Sequence, residues 1–313
     1  MSAPVYLSHP AVLDHDTGAH PERADRIRAI EAQLDRVGWH GFERREAPRV
    51  DRALLEHVHF REYVAAVGAY CERGGGAIDA DTIVGPGSWE AALRSAGGAV
   101  ELVELLLTNA ASTGFAAGRP PGHHAKVARA MGFCLFNNIA LAATHALREH
   151  GLERVLIIDW DVHHGNGTND IFARSQSVLF ISIHQDGLWP GTGPATDHGA
   201  GDGAGFTVNL PVPAGSGDDV FCGLIEERAV PLARQFEPQL VLVSAGYDAH
   251  AEDPLADCRV SDEGFAAMTA AVRELCAELG VPLGLVLEGG YELTALARSV
   301  ELTLRELASA PRG

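Results

Sequence analysis

Short and almost continuous apolar runs alternate with longer amphipathic segments along this chain, and that order limits its fold more than any other feature. Seven runs predict strands, at residues 5–8, 114–117, 155–159, 178–183, 207–211, 240–244 and 283–287. Several lack the alternation of a strand with one solvent face, which is typical of parallel strands covered on both faces. Helical periodicity lies between them, at residues 90–107, 137–149, 218–235, 262–279 and 293–307, with Asp218 and Asp262 as expected N-caps. This order predicts a doubly wound α/β fold around a parallel sheet.

One domain is expected to span residues 1–313, because no composition break, long linker or internal repeat divides the chain. The 24 Lys and Arg against 42 Asp and Glu give a formal charge of −18, which argues against direct nucleic-acid binding. No apolar run is long enough for a transmembrane helix, so no membrane partner is expected. Five widely spaced cysteines and the lack of a signal-peptide pattern predict reduced thiols and a cytoplasmic location.

Ligands of a doubly wound fold bind beyond the carboxyl ends of the strands, so the residues that follow each strand are the candidates for chemistry. His123 and His124 follow the strand at 114–117 within RPPGHHA. A tandem imidazole pair on a rigid loop suits proton transfer near neutral pH. The alternative is that a histidine only packs or caps this loop.

The VLIID run continues into DWDVHHGNG, in which Asp161 and His163 lie two residues apart and point to the same face. A carboxylate oxygen and an imidazole nitrogen in that arrangement suit Zn²⁺. Asp159 lies one pleat deeper on this face, where it can orient a neighbouring histidine or share a second cation. Asp248, after LVLVS, is expected to complete an Asp–His–Asp set with an open fourth position, although helix capping is its alternative.

Paired glycines precede Tyr291 in the EGGY segment that follows LGLVL. They allow the backbone to approach a ligand closely, and a tyrosine aimed into the site can donate its phenol proton to a developing oxyanion. Packing of this tyrosine against a loop is the alternative interpretation.

These segments, in this order, resemble the histone deacetylase superfamily, and in particular its class II-type bacterial members, the histone deacetylase-like amidohydrolases. The similarity covers RPPGHHA, AMGFCLFNN, DWDVHHGNGT, SAGYDAHAEDP and EGGY, together with HDTG and HPER near the N-terminus, and spans roughly residues 5–300. The resemblance implies a single-domain arginase/deacetylase-type α/β fold with a central eight-stranded parallel sheet, flanking helices and long active-site loops. It also implies a hydrolase that deacetylates an amine.

The resemblance assigns one Zn²⁺ per chain to Asp161, His163 and Asp248. In such enzymes a water activated by the metal attacks the amide carbonyl, while the metal polarises the carbonyl oxygen. Two K⁺ sites are implied as well. The inner K⁺ corresponds to Asp159, Asp161, His163, Ser182 and Ile183, and the outer K⁺ to Phe172, Ser175, Val178 and Phe206.

For the catalytic groups, the resemblance implies that His123 and His124 form the general base and acid pair, with His124 placed to protonate the leaving amine. Tyr291 corresponds to the donor to the tetrahedral oxyanion, on the side opposite the metal. Asp159 corresponds to the support of His123, and Asn166 lies near His124, where class I relatives carry aspartate. A neutral partner favours the charged state of His124 less than a carboxylate does.

Residues that match the lining of the acyl-lysine tunnel are Gly132, Phe133, Trp189 and Leu255. Two aromatic rings that flank a slot hold an extended methylene chain and admit its acetyl end. Trp189 replaces a smaller ring, which implies a narrower or reshaped tunnel. Ordinary core packing is the alternative for both aromatic residues.

Two rival functions have less support in the sequence. A binuclear-manganese ureohydrolase of the arginase type shares the fold but needs a further carboxylate at the position of His250. A non-catalytic binder of acyl-lysine is expected to have lost the tyrosine or a metal ligand, and this chain retains all of them.

The substrate stays open between acyl-lysine and acetylpolyamine. Acetylpolyamine deacetylases share every catalytic residue, but one group carries an acidic gatekeeper where Leu255 follows the Asp-Pro pair. Asp79 and Asp81 can contact a substrate amide or amine, although solvated loop carboxylates are the favoured interpretation. The sequence therefore favours an acyl-lysine or generic acetylamide deacetylase, and it leaves a small acetylated metabolite and a homo-oligomer open.

Overall fold

The computed structural model describes residues 2–309. The central element of the fold is a parallel sheet. The strands are β1 (Val5–Ser8), β2 (Glu43–Glu46), β3 (Gly76–Ala77), β4 (Ile83–Val84), β5 (Gly114–Ala116), β6 (Val155–Asp159), β7 (Val178–Gln185), β8 (Thr207–Val212), β9 (Leu240–Ala245) and β10 (Leu283–Leu287). Eight of them form one sheet in the order β2-β1-β5-β10-β9-β6-β7-β8, and every neighbouring pair is parallel. The predicted eight-stranded α/β fold is confirmed. The remaining pair, β3 and β4, forms a small antiparallel ribbon.

Helices cover both faces of this sheet. They are α1 (Asp25–Val37), α2 (Arg52–Leu55), α3 (Arg61–Glu72), α4 (Ser88–Leu107), α5 (Asn138–Glu149), α6 (Asn166–Phe172), α7 (Asp218–Leu224), α8 (Val230–Phe236), α9 (Asp262–Leu279) and α10 (Leu293–Ala308). One π-helical turn, Ile225–Ala229, joins α7 to α8. Short 3₁₀ turns occupy Pro10–Asp14, Trp39–Gly41 and Gly201–Gly203.

The structure adds an edge strand that the sequence did not predict, and it corrects two local predictions. The edge strand β2 has the sequence ERRE and three exposed residues, so it lacks the apolar signal of a buried strand, and its charges protect a sheet edge. The single helix expected at 218–235 is divided, because Pro231 has no N–H for the regular helical ladder. Ser261, rather than Asp262, caps α9, and Asp218 instead accepts a hydrogen bond from the Ser261 N–H at 2.7 Å.

The central strands are buried on both faces. Leu156 and Ile158 of β6 belong to an apolar cluster with α9 and α10, whereas Val155 and Ile157 belong to a second cluster with α4 and α5. Full burial of one such side chain contributes about 1.5–3 kcal/mol, and both faces therefore select apolar residues. This double coverage explains why the sequence shows continuous runs rather than alternation.

The strand order decides where polar residues meet. The strands β5, β10, β9 and β6 are consecutive neighbours, so the loops that leave their carboxyl ends share one edge of the sheet. The register pairs Asp159 with Ser244 and Ala245 with Leu287, which aligns the last residues of the inner three strands. Each of the four polar motifs follows one of these strands, and they converge for that reason.

All five cysteines are free thiols. Among residues 2–309, no helix combines the length and the apolar character that crossing a membrane requires.

Two glycines test how tightly the helices pack. A Cβ at Gly97, inside α4, would overlap the carbonyl oxygen of Pro48, whereas a Cβ at Gly223, in α7, would meet no atom within 4 Å. We expect Gly97→Ala to lower the free energy of unfolding by about 1–3 kcal/mol through overpacking. The control Gly223→Ala is expected to raise it by about 0.5–1 kcal/mol through lower backbone entropy in the unfolded chain. Urea unfolding measures both, and an unchanged Gly97→Ala would contradict the packing of α4.

Candidate active site

Loops from the four adjacent strand ends bring the predicted polar residues into one buried cluster. Each of these side chains lies at the end of its strand or in the segment that follows, so the parallel register positions all of them. The residues brought together are His123, His124, Asp159, Asp161, His163, Asn166, Asp248 and Tyr291.

The two carboxylates beside His163 are fixed by backbone donors. The Gly289 N–H donates to Asp161 Oδ2 at 2.8 Å, and the Val162 N–H donates to Asp248 Oδ1 at 2.9 Å. The Nδ1 atom of His163 lies 3.2 Å from Asp161 Oδ1 and 3.1 Å from Asp248 Oδ2. Ligand atoms from the three side chains lie within 4.8 Å of one another. Two carboxylate oxygens and an imidazole nitrogen at that spacing fit a divalent zinc ion.

The electrostatics of this set require a positive charge. Burial disfavours an imidazolium, yet the hydrogen bonds that His163 donates to Asp161 and Asp248 raise the pKa of His163 to about 10. Two carboxylates that are almost fully buried are costly unless a cation lies between them. A protonated imidazole or a metal ion satisfies that need, and a bound metal displaces the proton.

The histidine pair has two different partners. The Nδ1 atom of His123 lies 3.0 Å from Asp159 Oδ2, and the Nδ1 atom of His124 lies 2.7 Å from Asn166 Oδ1. The rings are 3.9 Å apart. Although burial opposes it, Asp161 and Asp159 raise the pKa of His123, whereas burial and the charge of His123 lower the pKa of His124. The two imidazoles therefore differ in their tendency to hold a proton.

A cavity of about 180 Å³ leads to these groups. Its lining consists of Asp81, His124, Gly132, Phe133, His163, Leu188, Trp189, Leu255 and Tyr291. The Phe133 ring meets Tyr291 edge to face at 5.7 Å, and the Trp189 ring meets His124 edge to face at 4.8 Å. All four predicted tunnel residues therefore line one cavity, with Phe133 and Trp189 among its walls.

Gly132 is required by the shape of this cavity. It has a φ of +57°, and a Cβ at this position would overlap the rings of His124 and Trp189. A glycine therefore lets the backbone pass between two side chains of the cavity wall.

The two acidic residues of the 74–88 loop behave differently. Asp79 folds back on its own loop and accepts hydrogen bonds from the N–H groups of Asp81 and Thr82. Asp81 is half-buried and borders the cavity, and burial together with Asp79 raises its pKa. Asp81 therefore borders the cavity while it keeps partial contact with solvent, and Asp79 does not line the cavity.

Sequence reasoning assigned no role to Glu288, which is fully buried at the end of β10. It accepts hydrogen bonds from the N–H groups of Gly122 at 2.7 Å and His123 at 3.1 Å, and from the Ser244 hydroxyl at 3.1 Å. Burial raises its pKa to about 7. Its position directly after a buried strand is a signal, but two of its partners are backbone groups of a distant loop.

Asp253 and Arg26 hold the loop of Tyr291 and were also missed. The Tyr291 N–H donates to Asp253 Oδ2 at 2.7 Å, and the Leu255 N–H donates to Asp253 Oδ1 at 3.0 Å. Arg26 donates to the Gly290 carbonyl at 2.7 Å, and its guanidinium carbon lies 5.0 Å from the centre of the Tyr291 ring. Asp253 lies in the AEDP segment and Arg26 lies three residues after the HPER segment, but the sequence does not show that these residues meet.

His59 supports the histidine loop from behind. Its Nε2 atom accepts a hydrogen bond from the Asn137 N–H at 2.9 Å, and its Nδ1 atom lies 3.0 Å from the Lys126 carbonyl. Asn137 in turn donates to the carbonyls of His123 and Ala125. These contacts require the neutral form of His59.

His250 does not act as a further metal ligand beside Asp161, His163 and Asp248. Its Nε2 atom lies 3.2 Å from Asp262 Oδ1, and its Nδ1 atom accepts a hydrogen bond from the Glu252 N–H at 3.0 Å. The binuclear ureohydrolase alternative therefore finds no support in this side chain.

A metal-binding set at the carboxyl edge of a parallel sheet, beside a buried histidine pair and at the end of a narrow cavity, defines a metal-dependent hydrolase of the α/β class. Comparisons with known proteins agree with that class. Residues 20–307 match the family model described as "Histone deacetylase domain".

Two curated relatives and one solved structure are highly similar to this chain. The histone deacetylase-like amidohydrolase of Pseudomonas aeruginosa is 41% identical over 87% of this chain and 72% of its own length. Polyamine deacetylase HDAC10 of Homo sapiens is 39% identical over 96% of this chain and 46% of its own length. The crystal structure of the HDA15 HD domain matches with a TM-score of 0.93 and 38% identity, over 98% of this chain and 88% of the other.

The chain belongs to the histone deacetylase family, and it is a zinc-dependent deacetylase, a hydrolase. Within the class, its relatives support the class II-type, amidohydrolase-like group that the sequence motifs indicated.

The neutral form of His59 leads to a prediction about acid stability. Burial lowers the pKa of His59 from 6.5 to about 4, so the unfolded chain binds a proton that the folded chain does not bind in this range. The stabilisation is complete above pH 6.5 and is lost as the pH falls toward 4, by about 3 kcal/mol in all. Urea unfolding should show His59→Gln less stable than the wild type at pH 7, with a gap that shrinks toward pH 4.

The exposed His198 offers a matched control, and His198→Gln should follow the wild-type curve. A gap between wild type and His59→Gln that stays constant across this pH range would contradict the neutral buried histidine.

Proposed function

We propose that this chain removes acetyl or other acyl groups from the amine of N-acetyl-lysine or a similarly extended acetylated amine. The observation that carries the proposal is the cavity of about 180 Å³ that ends on His124, His163 and Tyr291, the side chains that deacetylation needs. When bound by Asp161, His163 and Asp248, Zn²⁺ supplies Lewis-acid polarisation of a carbonyl and lowers the pKa of water.

The histidine pair is proposed to move the protons. Asp159 and Asn166 each accept at an Nδ1 atom, so the Nε2 atoms of His123 and His124 remain for proton transfer. One imidazole favours the charged form and the other the neutral form, which suits a general acid and general base pair. His124 borders the cavity, and it is therefore the residue assigned to protonate the leaving amine.

Tyr291 is proposed to donate its phenol proton to the oxyanion of the tetrahedral intermediate. Burial raises the pKa of Tyr291 well above its ordinary value, so the phenol keeps its proton. Asp253 and Arg26 hold the backbone on each side of this residue and orient the ring toward the cavity.

The phenol hydroxyl can be removed without loss of the ring. We expect Tyr291→Phe to lower kcat by about 100- to 1000-fold, because one oxyanion donor is lost, while the zinc content stays the same. Turnover of an acetyl-lysine peptide and metal analysis measure the two effects. Tyr70→Phe removes a hydroxyl that binds the Ala77 carbonyl outside the site, and this control should keep full activity. Full activity of Tyr291→Phe would overturn the oxyanion role.

The substrate class depends on the lining of the cavity. Leu255 contributes an apolar side chain to it, and Asp81 contributes the one carboxylate among the lining residues. We propose that Asp81 accepts a hydrogen bond from the main-chain amide of an acyl-lysine substrate. The alternative is an acetylpolyamine, whose ammonium group would bind Asp81, and the similarity to a polyamine deacetylase supports that alternative.

A substrate panel with Asp81→Asn separates these cases. We expect the wild type to have a higher kcat/KM on acetyl-lysine peptides than on acetylspermidine and acetylputrescine. In Asp81→Asn, kcat/KM on acetyl-lysine peptides should fall about tenfold, because a hydrogen bond to a charged group contributes about 1.5–3 kcal/mol. Asp79→Asn is the control, because Asp79 binds its own loop. A preference for acetylspermidine that Asp81→Asn abolishes would establish the polyamine alternative.

Potassium binding, domain organisation, cellular location and oligomeric state are further properties that need separate tests. We propose K⁺ at the inner and outer sets, supported for the inner one by the register that pairs Asp159 with Ser182. A single catalytic domain over residues 1–313, a cytoplasmic location and the lack of direct nucleic-acid binding stay predictions. The oligomeric state stays open.

A further inference from the structure

We propose a second metal site, formed by Glu104, His145 and His150 between helices α4 and α5, that binds a divalent transition ion such as Zn²⁺. This site is separate from the catalytic centre and does not depend on the proposed function. It would be a peripheral site that ties the ends of two packed helices together.

The three side chains already point at one another. Glu104 Oε1 lies 2.6 Å from His145 Nε2 and 3.1 Å from His150 Nε2, so a single carboxylate oxygen faces both imidazole nitrogens. The two rings lie 5.5 Å apart. Ligand atoms from all three residues lie within 4.8 Å of one another, the same limit that the catalytic set meets. Little rearrangement is therefore needed for an ion to replace the hydrogen-bonded protons.

The donor set selects the class of ion. Two imidazole nitrogens and one carboxylate oxygen suit Zn²⁺, Ni²⁺, Co²⁺ or Cu²⁺, whereas Ca²⁺ and Mg²⁺ prefer oxygen ligands alone. Despite partial burial, hydrogen bonds from His145 and His150 lower the pKa of Glu104, so the carboxylate is ionised and available. Its side chain is 38% exposed, which leaves room for water to complete the coordination.

The topology places this cluster at the opposite edge of the sheet from the catalytic residues. Glu104 lies in the last turn of α4, just before β5, and His150 follows the end of α5, just before β6. Helices that connect parallel strands run back along the sheet, so their carboxyl ends lie near the amino ends of the next strands. The catalytic loops leave the other ends of these same strands.

The peripheral site should bind more weakly than the catalytic set. The Nδ1 atom of His145 is buried and has no hydrogen-bond partner within the described residues, so this ring lacks the outer acceptor that usually orients a histidine ligand. Glu104 is also more exposed than either catalytic carboxylate. Zinc should therefore leave Glu104, His145 and His150 first when a chelator is added.

Equilibrium dialysis of the full chain against Zn²⁺ alone tests the stoichiometry. We expect the wild type to bind two zinc ions per chain, and both His150→Gln and Glu104→Gln to bind one. The control His198→Gln, at an exposed histidine outside both sets, should bind two. Deacetylase activity should be unchanged in all three variants, because none of these residues belongs to the catalytic set. Equal zinc binding by wild type and His150→Gln would overturn the proposal.

Thermal unfolding in an Asp248→Asn background provides a second readout, because this substitution disrupts the catalytic set. Zn²⁺ should raise the Tm of that variant by roughly 5 °C at a hundredfold excess over the dissociation constant. Adding His150→Gln should remove the shift. No zinc-dependent shift in Asp248→Asn itself would contradict the second site. A chain that binds the second zinc ion but does not deacetylate would contradict only the proposed function.

Discussion

The arrangement of the site depends on two buried carboxylates, Asp161 and Asp248, at the ends of adjacent strands. Like charges in such a place are costly unless a cation lies between them. Backbone N–H groups fix one oxygen of each carboxylate, and His163 lies against the other oxygens. The same electrostatic demand that makes this region unstable without a positive charge makes it a site for a divalent metal. The histidine pair and the cavity are arranged around it.

A set of buried acids supports this centre through the backbone. Glu288 binds the N–H groups at the start of the histidine pair, and Asp253 binds the N–H groups around Tyr291. Neither side chain lines the cavity. Their effect is to hold loops, which otherwise have freedom to move, in the one conformation that aims the proposed catalytic side chains at a common point.

Much of the fold could be predicted because the strands are covered on both faces. Continuous apolar runs located β6, β9 and β10, and the polar residues that follow them include the proposed metal ligands and Tyr291. The edge strand β2 was missed because an exposed charged strand has no such signal. The break at Pro231 in the helix predicted at 218–235 was missed because the residues around it keep helical periodicity. Glu288, Asp253 and Arg26 could not be assigned roles, since most of their partners are backbone groups far away along the chain.

The sequence by itself determined the layer architecture and the candidates for the reactive side chains, because local apolar periodicity and the residues at strand ends are local properties. Only the tertiary structure decided which side chains share a cavity. It placed Asp81 among the residues that line the cavity and turned Asp79 back on its own loop, although both lie on one loop. It also brought Glu104 to His145 and His150, across the packing of two helices. Such contacts depend on strand order and helix packing, and those arise from the burial of the whole chain rather than from any one segment.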